Sequence, residues 1–387
     1  MSKFESIQFI DLGAQRLRLG ASLDRAVERV LNRGDFVSGL EVTQLESELC
    51  SYTGAKHAVT CSSGTDALLM ALMACGVGPG DAVICPSFTF CATAEVVALR
   101  GATPIFVDVD EDTFNIDANA VGAAAEMCRR NGLVPKAVIP VDLFGQPAAH
   151  SSIAEAASAE NIIVVDDAAQ GFGGTYQGKK LGTFGKATAT SFFPAKPLGC
   201  YGDGGAILTD DAELAGLLRS IRVHGQGASK YDNVRLGLTA RLDTLQAAIL
   251  LEKLKIFDEE IAARNEIARR YSEALGDKVD VPRVAEGNTS VWAQYTIRLR
   301  DGINRDAFAD ALKKDGIPTM VYYPRPLHQQ PAYRHYSIVG DSLPVSEALS
   351  KEVISLPMHP YLEKQHQNYI IERALTAVNE LTRTAIK

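Results

Sequence analysis

A lysine and an aspartate, Lys196 and Asp167, frame the chemistry this chain could perform. Lys196 follows the apolar run Ser191-Phe192-Phe193-Pro194-Ala195 and is closed in by Pro194 and Pro197. A lysine in an enclosed site can have a lowered pKa and attack a carbonyl carbon as a Schiff-base nucleophile. The plainer reading is a solvated loop residue between two prolines. Asp167 follows the β-branched run 162–165. An acid at the C-terminal end of a parallel strand sits where α/β sheets bind ligands. There a carboxylate could hold the proton of a pyridinium ring and keep that ring an effective electron sink. Its neighbour Asp166 is expected to cap the next helix instead. The turn Gly202-Asp203-Gly204-Gly205 would let backbone pass close to whatever Lys196 holds.

Two more stretches belong to the same chemistry. Ser62-Ser63-Gly64-Thr65 lies between an expected strand and an expected helix. Helix N-terminal N–H groups, hydroxyls and a glycine that admits an anion make a phosphate seat, although the same turn serves equally as a simple N-cap. No G-x-G-x-x-G follows a strand and no G-x-x-x-x-G-K-[ST] occurs, so the seat suits one small phosphate better than a dinucleotide. Ser191 could add a hydroxyl to it. Phe90 could stack on a planar ring, or be an ordinary core aromatic.

The elements that must position these residues alternate. Strands are expected at 58–61, 82–85, 104–107, 137–141 and 162–165, with helices at 65–74, 92–99, 119–130 and 153–159 between them. Extended runs at 187–193 and 206–209 follow. Short apolar strands alternating with helices imply an α/β fold, a mostly parallel central sheet with helices on both faces. Residues 1–40 look like an N-terminal arm with a short helix at 24–31, and 41–240 like a large domain. Leu250, Leu254, Phe257 and Ile261 recur at helical spacing, which suggests one long bridging helix within 241–279. Residues 280–387 are expected to form a smaller α+β domain.

Composition narrows the possibilities. The chain of 387 residues is 46% hydrophobic and 22% charged, an ordinary globular balance. Its formal net charge is −8 without a basic run, which argues against a nucleic-acid partner. Seven scattered cysteines without a C-x-x-C pair argue against a disulfide framework or a zinc site, so no metal is expected. The first residues lack a signal-peptide core, and no apolar run reaches the ~18 residues of a membrane span. A cytoplasmic protein without a membrane partner is expected.

Seven motifs then carry a resemblance: CSSGTDALLMAL, CPSFTFCATAE, PVDLFGQ, VVDDAAQ, SFFPAKPLGCYGDGGA, RLDTLQAAILLEKL and SLPMHPYL, spread over roughly 9–362. The chain resembles the DegT/DnrJ/EryC1/StrS sugar aminotransferases, pyridoxal 5′-phosphate enzymes of the aspartate aminotransferase fold (fold type I). The resemblance implies that Lys196 binds the cofactor covalently and shuttles protons. It implies that Asp167 pairs with the ring nitrogen and Gln170 lies near the ring hydroxyl. Gly64, Thr65 and Ser191 would bind the phosphate, and Phe90 would stack on the ring. The family's homodimers share active sites, so Arg241 would serve the neighbouring subunit. Two positions earlier the family often has an asparagine at the partner's phosphate; here Thr239 stands in its place.

Relatives that dehydrate sugars replace the lysine with histidine, so Lys196 favours amino transfer from L-glutamate to a nucleotide-linked keto sugar. The wording of SVWAQYTIRL and SLPMHPYL is most similar to enzymes acting on UDP-2-acetamido-3-keto-glucuronate, which serve surface-polysaccharide synthesis; enzymes for 4-keto-6-deoxy sugars share much of it. Arg325, His328 and Arg235 are candidate cationic partners for the diphosphate, with Gln294 and Tyr231 as sugar contacts. A lyase or dehydratase, and a non-catalytic sensing module of the same fold, are the competing readings.

Overall fold

The computed structural model describes residues 7–299 and 302–385. The chain opens with helices α1 (Leu12–Arg33) and α2 (Leu40–Thr53), followed by β1 (His57–Cys61), α3 (Gly64–Ala74), β2 (Asp81–Pro86), α4 (Ala92–Leu99), β3 (Thr103–Val107), α5 (Ala120–Arg130), β4 (Val134–Val138), α6 (His150–Ala159) and β5 (Ile163–Asp167). A small hairpin, β6 (Thr175–Tyr176) and β7 (Lys179–Lys180), leads to β8 (Ala187–Ser191), β9 (Gly205–Thr209) and α7 (Ala212–Ile221). Helices α8 (Thr244–Leu254) and α9 (Phe257–Leu275) precede β10 (Tyr295–Arg298), α10 (Arg305–Lys314), α11 (Pro344–Glu352), β11 (Val353–Leu356) and α12 (Lys364–Ala385).

Seven strands form the central sheet in the order β1-β9-β8-β5-β4-β2-β3. Six run parallel to one another, and β9 runs against both its neighbours. Both faces are covered, which accounts for the short strands buried at most positions. The pleat assigns each residue a side. Val83 and Cys85 of β2 pack with α3, α4 and α7, whereas Ala82 and Ile84 pack with α5 and α6. On β5 the same alternation sends Asp167 to the α4 side, with Val165, and Asp166 to the α6 side.

A second core forms around the antiparallel pair β10–β11 with α10, α12 and the C-terminal half of α9. No helix among the described residues is long and apolar enough to cross a membrane. All seven cysteines are free.

Three expectations need correction. The N-terminal region is not an arm with one short helix, because α1 starts at Leu12, capped by Asp11 accepting from the Ala14 N–H at 2.8 Å, and bends only at Gly20. The long bridging helix is two helices: Ile256 leaves helical geometry at φ −109°, ψ 1°, although the apolar spacing continues across the break. Lastly, Asp166 caps nothing; it lies inside β5 and is fully buried.

Candidate active site

The C-terminal ends of β1, β5 and β8 place the sequence-expected residues along one sheet edge. Asp167 is 6% exposed. Its carboxylate accepts from the Ala169 N–H at 3.1 Å and from the Thr93 hydroxyl at 3.5 Å. Burial pushes its pKa up to about 6, while the Lys196 charge and these donors pull it back. Lys196 is half-buried in the loop after β8, its N–H bonded to Phe193 O at 2.8 Å. Burial lowers its ammonium pKa, and Asp167 opposes the shift. An amine biased toward its neutral form beside a buried acid is a nucleophile with an anionic partner.

The phosphate-seat stretch is also the helix cap. The Ser63 hydroxyl accepts from the Asp66 N–H at 3.0 Å, and the Ser62 hydroxyl bonds the Asp66 carboxylate. Two glycines let the strands close up here. A Cβ on Gly64 would sit 2.6 Å from Ser191 Cβ, and one on Gly205 would sit 2.4 Å from Ser63 O. Gly64 and Ser191 are therefore neighbours, as a shared phosphate site requires. Gly64→Ala is expected to cost about 1–3 kcal/mol of stability through overpacking. Urea denaturation checks this; an unchanged midpoint would mean the helix end can shift away.

Of the two phenylalanines in the loop after β2, Phe88 is the core residue and Phe90 is 53% exposed, free to meet a ring. Gln170 is buried and fixed at both ends: its carbonyl accepts from the Phe144 N–H at 2.9 Å, and its amide donates to the Tyr323 hydroxyl at 2.8 Å. The Phe144 and Tyr323 rings stack 6.0 Å apart at 17°, both on left-handed backbone, φ 57° and 56°. Thr93 falls within the motif CPSFTFCATAE, which assigns it no role, and Tyr323 lies in none of the motifs. Their partners lie 74 and 153 positions away.

The candidate substrate contacts divide. Arg235 and Arg241 line an open cavity of about 650 Å³ with His224 and Lys230. Tyr231 beside it is 88% exposed, and Arg325 is exposed elsewhere on the surface. The exposed Thr239 hydroxyl bonds His224 Nε2 at 2.6 Å. Both ring nitrogens of His328 are engaged within the chain. Its Nδ1 meets the Ser87 hydroxyl at 2.7 Å and its Nε2 meets Glu347 at 3.3 Å. Gln294 is buried at the edge of a separate small cavity, with Phe144 and Trp292.

Behind β5, the buried Asp142, His150 and Asp166 bring one atom each within 4.8 Å of one another. His150 Nε2 bonds Asp142 Oδ1 at 3.0 Å, and the same oxygen accepts from the Ala148 N–H at 2.7 Å. Thr188, across from Asp166 on β8, gives its hydroxyl to Phe184 O. Burial lowers the His150 pKa, but Asp166 and Asp142 outweigh it and raise it to about 9. Burial and Asp142 hold Asp166 well above the usual carboxylate range. A raised histidine pKa stabilises the fold fully below the unfolded value near 6.5, and that contribution is lost as pH rises through about 9. His150→Gln is expected to cost roughly 3–5 kcal/mol and to flatten the stability profile over that window. Denaturant midpoints across pH test it, and an unaltered profile would contradict it.

Residues 18–375 match the DegT/DnrJ/EryC1/StrS aminotransferase family. A UDP-2-acetamido-2-deoxy-3-oxo-D-glucuronate aminotransferase of Pseudomonas aeruginosa is 48% identical over 363 residues, which is 92% of this chain and 96% of that protein. The crystal structure of a DegT DnrJ EryC1 StrS aminotransferase from Brucella abortus is similar with a TM-score of 0.94 at 52% identity, over 96% of this chain and 99% of the other. S. venezuelae DesV, solved in complex with a ketimine intermediate, gives 0.89 at 36% identity, over 97% and 99%. The chain belongs to the DegT/DnrJ/EryC1/StrS aminotransferase family. It is a pyridoxal-phosphate-dependent aminotransferase of nucleotide-linked sugars.

The residues present fit that cofactor. A half-buried lysine of lowered pKa lies in the loop after β8, a buried acid ends the neighbouring β5, and Gly64 lets its helix N-terminus close onto Ser191.

Proposed function

We propose that this enzyme moves the amino group of L-glutamate to the 3-keto carbon of UDP-2-acetamido-2-deoxy-3-oxo-glucuronate, for surface-polysaccharide synthesis. The 48% identity to the Pseudomonas aeruginosa enzyme of that substrate, over nearly the whole of both chains, carries the reading. In it, Gly64, Thr65 and Ser191 hold the phosphate, Phe90 covers one ring face, and Gln170 lies near the ring hydroxyl, oriented by Phe144 and Tyr323. Two chains share each site, with Arg241 and Thr239 reaching the neighbouring subunit. Arg235, Tyr231 and Arg325 are the candidate contacts for the nucleotide sugar, and His328 is withdrawn from that set. Gln294, at its small cavity beside Phe144, is a further candidate contact for the sugar.

When bound, pyridoxal phosphate supplies the electron sink that amine transfer needs. Asp167, as an anion, keeps the proton on the ring nitrogen. Lys196 takes the proton from the donor's Cα as a general base and later gives a proton to the acceptor carbon as a general acid. Mass spectrometry of products from UDP- and dTDP-linked 3- and 4-keto sugars, with glutamate as donor, tests the assignment. Amination of the UDP-3-keto-uronate above the others is expected. Preference for a 4-keto-6-deoxy sugar, a deoxygenated product, or no turnover at all would overturn it.

A further inference from the structure

Lys253 is a buried cation that the reaction above does not use. It lies on α8, is 1% exposed, and its Nζ donates to Gly199 O at 2.6 Å. The same ammonium stands 4.3 Å from the centroid of the Tyr201 ring. Burial lowers its pKa to about 8, with Glu260 and Cys200 opposing. Burying an ammonium is costly, and a methionine would fill the same space without that cost. The carbonyl it holds is three positions past Lys196.

The surrounding loop explains why a grip at that carbonyl matters. The chain from Phe192 to Gly204 closes on itself, with the Phe192 N–H bonded to Gly204 O at 2.7 Å and the Cys200 N–H to Phe192 O at 2.8 Å. Lys196 sits inside this closure. Two turns before Lys253 on α8, Gln246 faces the same loop; its carbonyl accepts from the Tyr201 N–H at 2.8 Å and its amide donates to Tyr201 O at 3.4 Å. Helix α8 packs against α1 and α2. The loop is thus clamped at Gly199 and Tyr201 to a rigid helix, and a side chain that must meet one carbon atom needs that fixity.

We propose that Lys253 is a positioning residue that holds the Lys196 loop in the geometry in which Lys196 engages the cofactor. This rests on the reading of Lys196 as the cofactor-binding lysine. The test is a double-mutant cycle on the full-length protein: wild type, Lys253→Met, Lys196→Ala and the double variant. Cofactor affinity is read by equilibrium absorbance titration with pyridoxal phosphate, and the covalently held fraction by borohydride reduction and peptide mass.

Lys253→Met is expected to weaken cofactor binding about tenfold and lower the trapped fraction where Lys196 is present, and to change nothing in the Lys196→Ala background, because contacts acting through one residue are not additive. Lys253→Arg, which keeps the cation, is expected to restore part of the loss. Equal weakening in both backgrounds would overturn the proposal, as would an unchanged trapped fraction. If Lys253→Met does not fold, Gln246→Ala removes the other arm of the clamp and is held to the same two outcomes. Wild-type protein that traps nothing at Lys196 would instead defeat the reading beneath it.

Discussion

Lys196→Ala is expected to lower kcat/KM for amine transfer by on the order of 10⁴-fold or more, since in the proposed mechanism one residue supplies both the covalent link and the proton transfer. Its neighbours offer no replacement. Lys253 is tied to Gly199 O, and His150 lies on the other face of the sheet, bonded to Asp142. The variant should still take up pyridoxal phosphate, more weakly, because Asp167, Ser191 and the Gly64 helix end remain in place. Rate measurements with glutamate and a keto sugar decide it. Repeated turnover by the alanine variant would remove Lys196 from its role.

Asp167→Asn is expected to reduce kcat/KM about 10²–10³-fold, the scale seen when one preorganised electrostatic contact is lost, about 3–4 kcal/mol. The variant keeps the shape and loses the anion. Its pH dependence carries a sign. Burial raises the Asp167 pKa to about 6, so below that value the carboxylate becomes neutral and no longer favours a protonated ring nitrogen. Wild-type kcat/KM should therefore fall as pH drops through about 6, and the asparagine variant should lack that limb. Retention of the same limb in Asp167→Asn would assign it to another group.

Much of this site could be read in one dimension because its parts are local. Ser62 to Thr65 occupy a single strand-to-helix turn, Lys196 lies in the loop that follows β8, and Asp167 ends β5. The strand and helix alternation also emerged, since both faces of the sheet are covered and most strand positions are buried. What stayed hidden depends on partners far apart in the chain. His328 looked like a free loop cation, yet its ring joins Ser87, 241 positions away, to Glu347. Asp166 read as a cap because nothing local marks its partners, whereas the strand period of two sends Asp167 to the candidate site and Asp166 to the buried cluster with Asp142 and His150. The break at Ile256 escaped because apolar spacing continues through it. Lys253 sits within an otherwise helical, mostly apolar stretch, and nothing local says that its ammonium turns inward to a carbonyl 54 positions earlier.

The most direct test of the account is chemical mapping of the cofactor. Purified protein loaded with pyridoxal phosphate is reduced with borohydride, digested, and its peptides weighed, with and without prior incubation with glutamate. The pyridoxyl mass is predicted on the peptide containing Lys196, and glutamate is predicted to prevent the labelling by converting the cofactor to its amine form. Labelling at another lysine, or labelling at Lys196 that glutamate leaves unchanged, would contradict the account.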